Sequence, residues 1–122
     1  TLFRSVYPWD QIRKRIDNGD PAPVCECSGY LKPDTISFGQ AMPEKATQRA
    51  VQLSKQSDVF IVVGSTLVVQ PAALMPEYAK NNGAFLGIIN LSETPYDSVS
   101  DVVIQDKAGT VLKQIVDQVI SI

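Results

Sequence analysis

Histidine is absent from all 122 residues. A mechanism that needs an imidazole base is therefore not completed by this chain alone. Cysteine is almost absent too, with only Cys25 and Cys27, one residue apart. So few cysteines exclude a secreted disulfide scaffold. A bridge between these two would be strained and would close almost no loop. The pair is expected in a reducing, cytoplasmic setting. Positive charge is sparse: 11 Lys and Arg stand against 13 Asp and Glu, for a net charge of -2. Nucleic-acid binding has no electrostatic support from such a balance. The cluster Arg13-Lys14-Arg15 lies on a helical pattern and reads as a solvated face. No apolar run approaches the roughly 20 residues of a membrane-crossing helix, and no secretory leader pattern stands out. The chain opens on Thr1 rather than Met, which reads as a longer product lacking its first residues here.

What is present suits one compact core, with 44% hydrophobic residues. The run Val59-Phe60-Ile61-Val62-Val63 leads into Gly64-Ser65-Thr66. Five apolar residues before a small, hydroxylated turn read as a buried parallel strand. In open α/β sheets, ligands bind at the carboxyl ends of the strands, where small residues let a backbone approach a nucleotide. Ser65 or Thr66 could equally cap a helix. Phe85 to Ile89 is a second buried strand and ends in Asn90. That amide can both donate and accept, as a ribose diol requires, or it can form an Asx turn into Pro95.

The remaining pattern alternates. A helix opens at Pro8 and carries Trp9, Ile12 and Ile16 on one face. It is closed by Asn18-Gly19-Asp20-Pro21. Thr35-Ile36-Ser37-Phe38 is a short strand candidate. A helix is expected over residues 43–57 with Ala46, Ala50 and Leu53 inward, and another over residues 71–82. Val102-Val103-Ile104 is a short strand. Residues 108–120 form a helix with Val111, Leu112, Ile115, Val116 and Val119 inward. Strands alternating with helices predict a parallel α/β sheet of three to four strands, with Val59–Val63 and Phe85–Ile89 central. Two further signals sit in loops. Cys25-Glu26-Cys27 looks like half of a structural zinc site, which needs four ligands. Phe38 before Gly39 could line an apolar slot or pack in a core.

These signals together, in this order, resemble the sirtuins, the NAD-dependent protein lysine deacylases. Cys25 to Asp34 followed by Ser37-Phe38-Gly39-Gln40 is similar to their C-x-x-C-G-G-x-L-R-P-D…F-F-G-E block. Gly64 to Ala73 is similar to G-T-S-L-x-V-x-P-A. Ile88-Ile89-Asn90 with Glu93-Thr94-Pro95 matches I-I-N-x-x-x-T-P. The resemblance implies an α/β fold. Residues 35–122 would be the C-terminal half of a Rossmann-like parallel sheet with flanking helices, and residues 1–34 part of a small zinc-binding module. It implies that Gly64, Ser65 and Thr66 contact NAD, that Asn90, Leu91 and Ser92 hold the adenosine ribose, and that Ala108 lies near the adenine. Phe38, Gly39, Leu67, Val68 and Val69 would border the acyl-lysine tunnel, with the peptide added as a strand. The acyl oxygen would attack the nicotinamide ribose, assisted by a histidine that this chain does not contain. Implied partners are an acylated lysine peptide or protein and the N-terminal half of the same enzyme, with no nucleic acid and no membrane. Zinc would use Cys25 and Cys27 with a first cysteine pair roughly 15–20 residues earlier. That window holds no cysteine, which leaves the pair upstream of Thr1 or replaced, with Phe3 at a family cysteine position. A non-catalytic nucleotide-binding or interaction module of a related α/β fold is the alternative.

Overall fold

The computed structural model describes residues 5–121, so Phe3 lies outside the described residues. The chain divides into two compact units, residues 1–40 and 41–122.

In the first unit, α1 spans Trp9–Asp17. Pro8 stands just before it, where a fixed φ and a missing N–H cost nothing. Asp10 in the first turn and Lys14 and Arg15 in the last complement the helix dipole. Gly19, at φ +93°, closes it: its N–H donates to the Ile16 carbonyl and the Asp20 N–H to the Arg15 carbonyl. Thr35 to Phe38 forms no strand. A strand needs a ladder partner. Here Phe38 is 93% exposed, and the segment curls into a turn, with the Gln40 N–H on the Ser37 carbonyl and the Ser37 N–H on Gln40 Oε1.

The second unit is a parallel sheet of three strands in the order β1 (Val59–Val63), β2 (Phe85–Ile89), β3 (Val102–Ile104). β2 is therefore central, and β1 lies at an edge rather than sharing the centre. α2 (Glu44–Gln56) precedes β1, α3 (Met75–Asn81) joins β1 to β2, and α4 (Ala108–Ile120) follows β3. The expected single helix over residues 71–82 is instead a 3-10 turn, Ala72–Leu74, followed by α3. Pro76 has no N–H to give to the turn before it, so an α-helical ladder cannot run through. Gly83 at φ +89° ends α3 as Gly19 ends α1.

Register explains the burial. Phe60, Val62, Leu86 and Ile88 share one face of the pleat, and with Leu67, Ala73 and Tyr96 they make the core. α3 packs against both β1 and β2. On the opposite face Val59 and Ile61 remain 57% and 54% exposed. α2 turns Thr47, Ala50, Val51 and Ser54 inward, while Ala46 and Leu53 are exposed. The inward set still obeys i, i+3, i+4, i+7, but on a stripe displaced from the one expected. In α4 only Val111 is buried, and Leu112, Ile115, Val116 and Val119 keep an open apolar face.

Candidate functional site

The parallel sheet sends all three strand ends to one edge. Val63 pairs with Ile89, and Ile89 with Ile104. Gly64 and Asn90 thus stand side by side, just past the last paired residues. The ladder runs one bond further: the Gly64 N–H donates to the Ile89 carbonyl (2.9 Å) and the Asn90 N–H to the Ile104 carbonyl (3.1 Å). Those bonds fix the backbone at the edge where ligands sit in such sheets.

Gly64 has φ +63°, a left-handed conformation that disfavours other residues. A Cβ built there meets nothing within 4 Å. The glycine thus satisfies the backbone and leaves open space above it. Ser65 caps no helix. Its Oγ accepts the Leu67 N–H (3.2 Å), and Leu67 itself lies at φ +55°. This tight turn drops the Leu67 side chain into the core with Val62 and Ala73, while Thr66, Val68 and Val69 stay exposed.

Asn90 is buried to 8% exposure. Its Nδ2 donates to the Ser92 carbonyl (2.9 Å) and Ser92 Oγ (3.3 Å). No hydrogen bond among the described residues engages Oδ1, and no buried side-chain polar atom there lacks a partner. Oδ1 is therefore an oriented acceptor still open to solvent. Leu91 and Ser92 are exposed beside it. Ala108, half-buried, opens α4 shortly after β3. Gly64 to Thr66 and Asn90 to Ser92 are thus brought to one edge of the second unit. Phe38 and Gly39 belong to the turn of the first unit already described.

Two supports escaped the sequence reading. Thr94 Oγ1 donates to Asp97 Oδ1 (2.5 Å) and accepts the Tyr96 N–H (3.2 Å), which pins the loop after Asn90. The T-x-x-D spacing was the available signal. Asp101 accepts the Leu86 N–H (2.7 Å) and the Lys80 ammonium (2.6 Å). These donors hold its carboxyl below the ordinary value, the Leu86 amide contributing most. Tyr96 is pushed up, first by burial and then by the negative charge of the Glu77 carboxylate. Neither group faces the glycine turn through any bond described, and both act on the scaffold.

Cys25 and Cys27 are joined as a disulfide, contrary to the expectation from their spacing. The turn accounts for it: the Ser28 N–H bonds to the Cys25 carbonyl (2.9 Å) and the two Cα atoms stand 5.3 Å apart. That separation is within the normal range for a bridge. The donor set does not fit a zinc site. No group of three or more His, Cys, Asp or Glu is gathered among the described residues, and two sulfurs bonded to each other offer no thiolate pair. Beside the knuckle, an open groove of about 980 Å³ is walled by Trp9, Ile12, Ile16, Tyr30 and Leu31. Its wall is mainly apolar, with Lys32 and Asp34 as its charged members, and none of its lining residues follows a strand of the sheet, so the sheet edge is the better site.

A family model described as the Sir2 family matches residues 3–71. The chain is 39% identical over 113 residues to an NAD-dependent protein deacetylase of Thermodesulfovibrio yellowstonii, covering 92% of this chain and 44% of that protein. It is 47% identical over 108 residues to NAD-dependent protein deacetylase 1 of Bradyrhizobium diazoefficiens, covering 88% and 42%. Among solved structures it is similar to one described as Sir2-p53 peptide-NAD+, with a TM-score of 0.85 and 28% identity over 97% of this chain and 49% of the other. A structure of Sir2Tm bound to a propionylated peptide gives the same score and covers 50% of that chain. The chain spans less than half the length of these two curated relatives.

Proposed function

Because this chain belongs to the Sir2 family, we propose that it is the C-terminal part of an NAD-dependent protein lysine deacylase, carrying the NAD-ribose and acyl-peptide loops but not the catalytic base. The observation that carries this reading is the pairing of an open, left-handed Gly64 with the oriented Asn90 Oδ1 on one sheet edge. These residues fit a nucleotide. Gly64 admits close approach to its backbone, the Ser65 and Thr66 hydroxyls can meet polar groups of the ligand, and Asn90 Oδ1 can accept a ribose hydroxyl. Leu91, Ser92 and Ala108 would complete the adenosine side. Bound NAD would supply the ribose carbon to which the acyl oxygen bonds as nicotinamide leaves.

In the same reading the backbone of Leu67 and the exposed Val68 and Val69 receive the acyl-lysine peptide as an added strand. The relatives' longer chains and the apolar Val59 and Ile61 on an edge strand support the N-terminal half of the enzyme as partner. With no histidine in the chain, the base must come from outside these residues. The missing histidine also favours a second reading, a nucleotide-binding module without catalysis. The test is nicotinamide release from NAD and an acetyl-lysine peptide. The expected result is none from the purified chain and measurable release when a histidine-bearing N-terminal half of a relative is added. Release by the chain alone overturns the assignment of the base, and no release in the mixture favours the non-catalytic reading.

A further inference from the structure

We infer that the first unit holds its cysteine knuckle with an arginine clamp and main-chain hydrogen bonds, and not through a zinc ion ligated by this chain's own residues. Family membership raises the expectation of zinc, and the chemistry of this chain departs from it. A closed structural site takes four nitrogen or sulfur ligands. The 122 residues offer two cysteine sulfurs and no imidazole.

The cross-linking that a metal would provide is supplied otherwise. The Cys25 N–H donates to the Gly29 carbonyl and the Leu31 N–H to the Pro23 carbonyl, each at 2.9 Å. Val24 and Tyr30 form an antiparallel bridge between those bonds. Residues 23–31 are thus a closed miniature hairpin. Arg15 then ties the hairpin to the rest of the unit. Its Nη1 donates to the Val24 carbonyl (3.0 Å), while Nε (3.0 Å) and Nη2 (2.7 Å) both reach Asp20 Oδ2. The Asp20 N–H returns to the Arg15 carbonyl (3.0 Å). One guanidinium therefore joins α1, the turn after it and the knuckle. Charge-assisted bonds of this kind are about twice as strong as neutral ones.

The test uses the full chain, with metal content measured by mass spectrometry and amide exchange followed at Cys25 and Leu31. After incubation with zinc and desalting, the chain should retain less than about 0.1 zinc per molecule, since two donors cannot close a site. The Cys25→Ser/Cys27→Ser variant should keep the exchange rate at Leu31. Arg15→Ala should speed it about tenfold or more, while β2 amides stay unchanged, as expected for local opening. One zinc per chain, or loss of Leu31 protection on removing the two sulfurs, would overturn the inference. Unchanged exchange in Arg15→Ala would overturn the clamp. None of these readouts depends on deacylase activity, so their failure is distinct from failure of the proposed function.

Discussion

Gly64 shows how much a single residue does here. At φ +63° it makes the turn possible, and the space above it is empty. Gly64→Ala should cost about 1–2 kcal/mol of stability from the left-handed backbone alone. If a nucleotide approaches that backbone, the added methyl should also weaken NAD binding by about tenfold, read by titrating NAD into both chains. Equal binding would place the nucleotide elsewhere. Asp101 carries a second residue-scale prediction. Its folded-state pKa is lowered by the Leu86 amide and Lys80, so the unfolded chain binds the proton more readily. The stabilisation is full above about pH 4, the unfolded range, and is lost as pH falls through the folded value. Asp101→Asn, which keeps an acceptor for Leu86, should be less stable at pH 7, with the gap closing toward pH 3. Denaturant midpoints at the two pH values check this, and a gap independent of pH contradicts it. The sequence announced Gly64 and Asn90 through their place after apolar runs. It was silent on Asp101, whose partners are distant in the chain and meet only in the fold.

Among the elements, β2 is the keystone, pairing on both sides with Leu86 and Ile88 fully buried. Leu86→Ala should destabilise the chain by about 3 kcal/mol through lost burial and a residual cavity. The urea midpoint should fall without a change in slope. The same substitution at Ile61, more than half exposed, should have a much smaller effect. β1, β2, β3 and α4 were legible to the residue because continuous apolar runs and helical spacing agree with local turn signals. Thr35 to Phe38 was misread because β-branched and aromatic residues suit a strand only if a partner is present, and none pairs with it here. The inward stripe of α2 was also misjudged. Alanines are good helix formers at any position, whereas the buried Ser54, satisfied by the Ala50 carbonyl at 2.8 Å, looks polar on paper.

At the scale of the whole molecule, the edge strand β1 and the helix α4 expose apolar faces, and in the proposed reading the N-terminal half of the enzyme is what covers them. The Sir2 motifs could be read from the sequence because they combine several short blocks in a fixed order. The knuckle chemistry could not, because hydrogen bonding around Arg15 depends on how α1 and the hairpin meet. The central claim is that the sheet edge built by Gly64 to Thr66, Asn90 to Ser92 and Ala108 is an NAD half-site. Titrating NAD to millimolar concentration into the isotope-labelled chain, while following backbone amide resonances, tests it most directly. Weak but saturable shifts should concentrate on those three segments, because half a site retains position but little affinity. Shifts confined to the Trp9 groove, or none at the sheet edge, would contradict it.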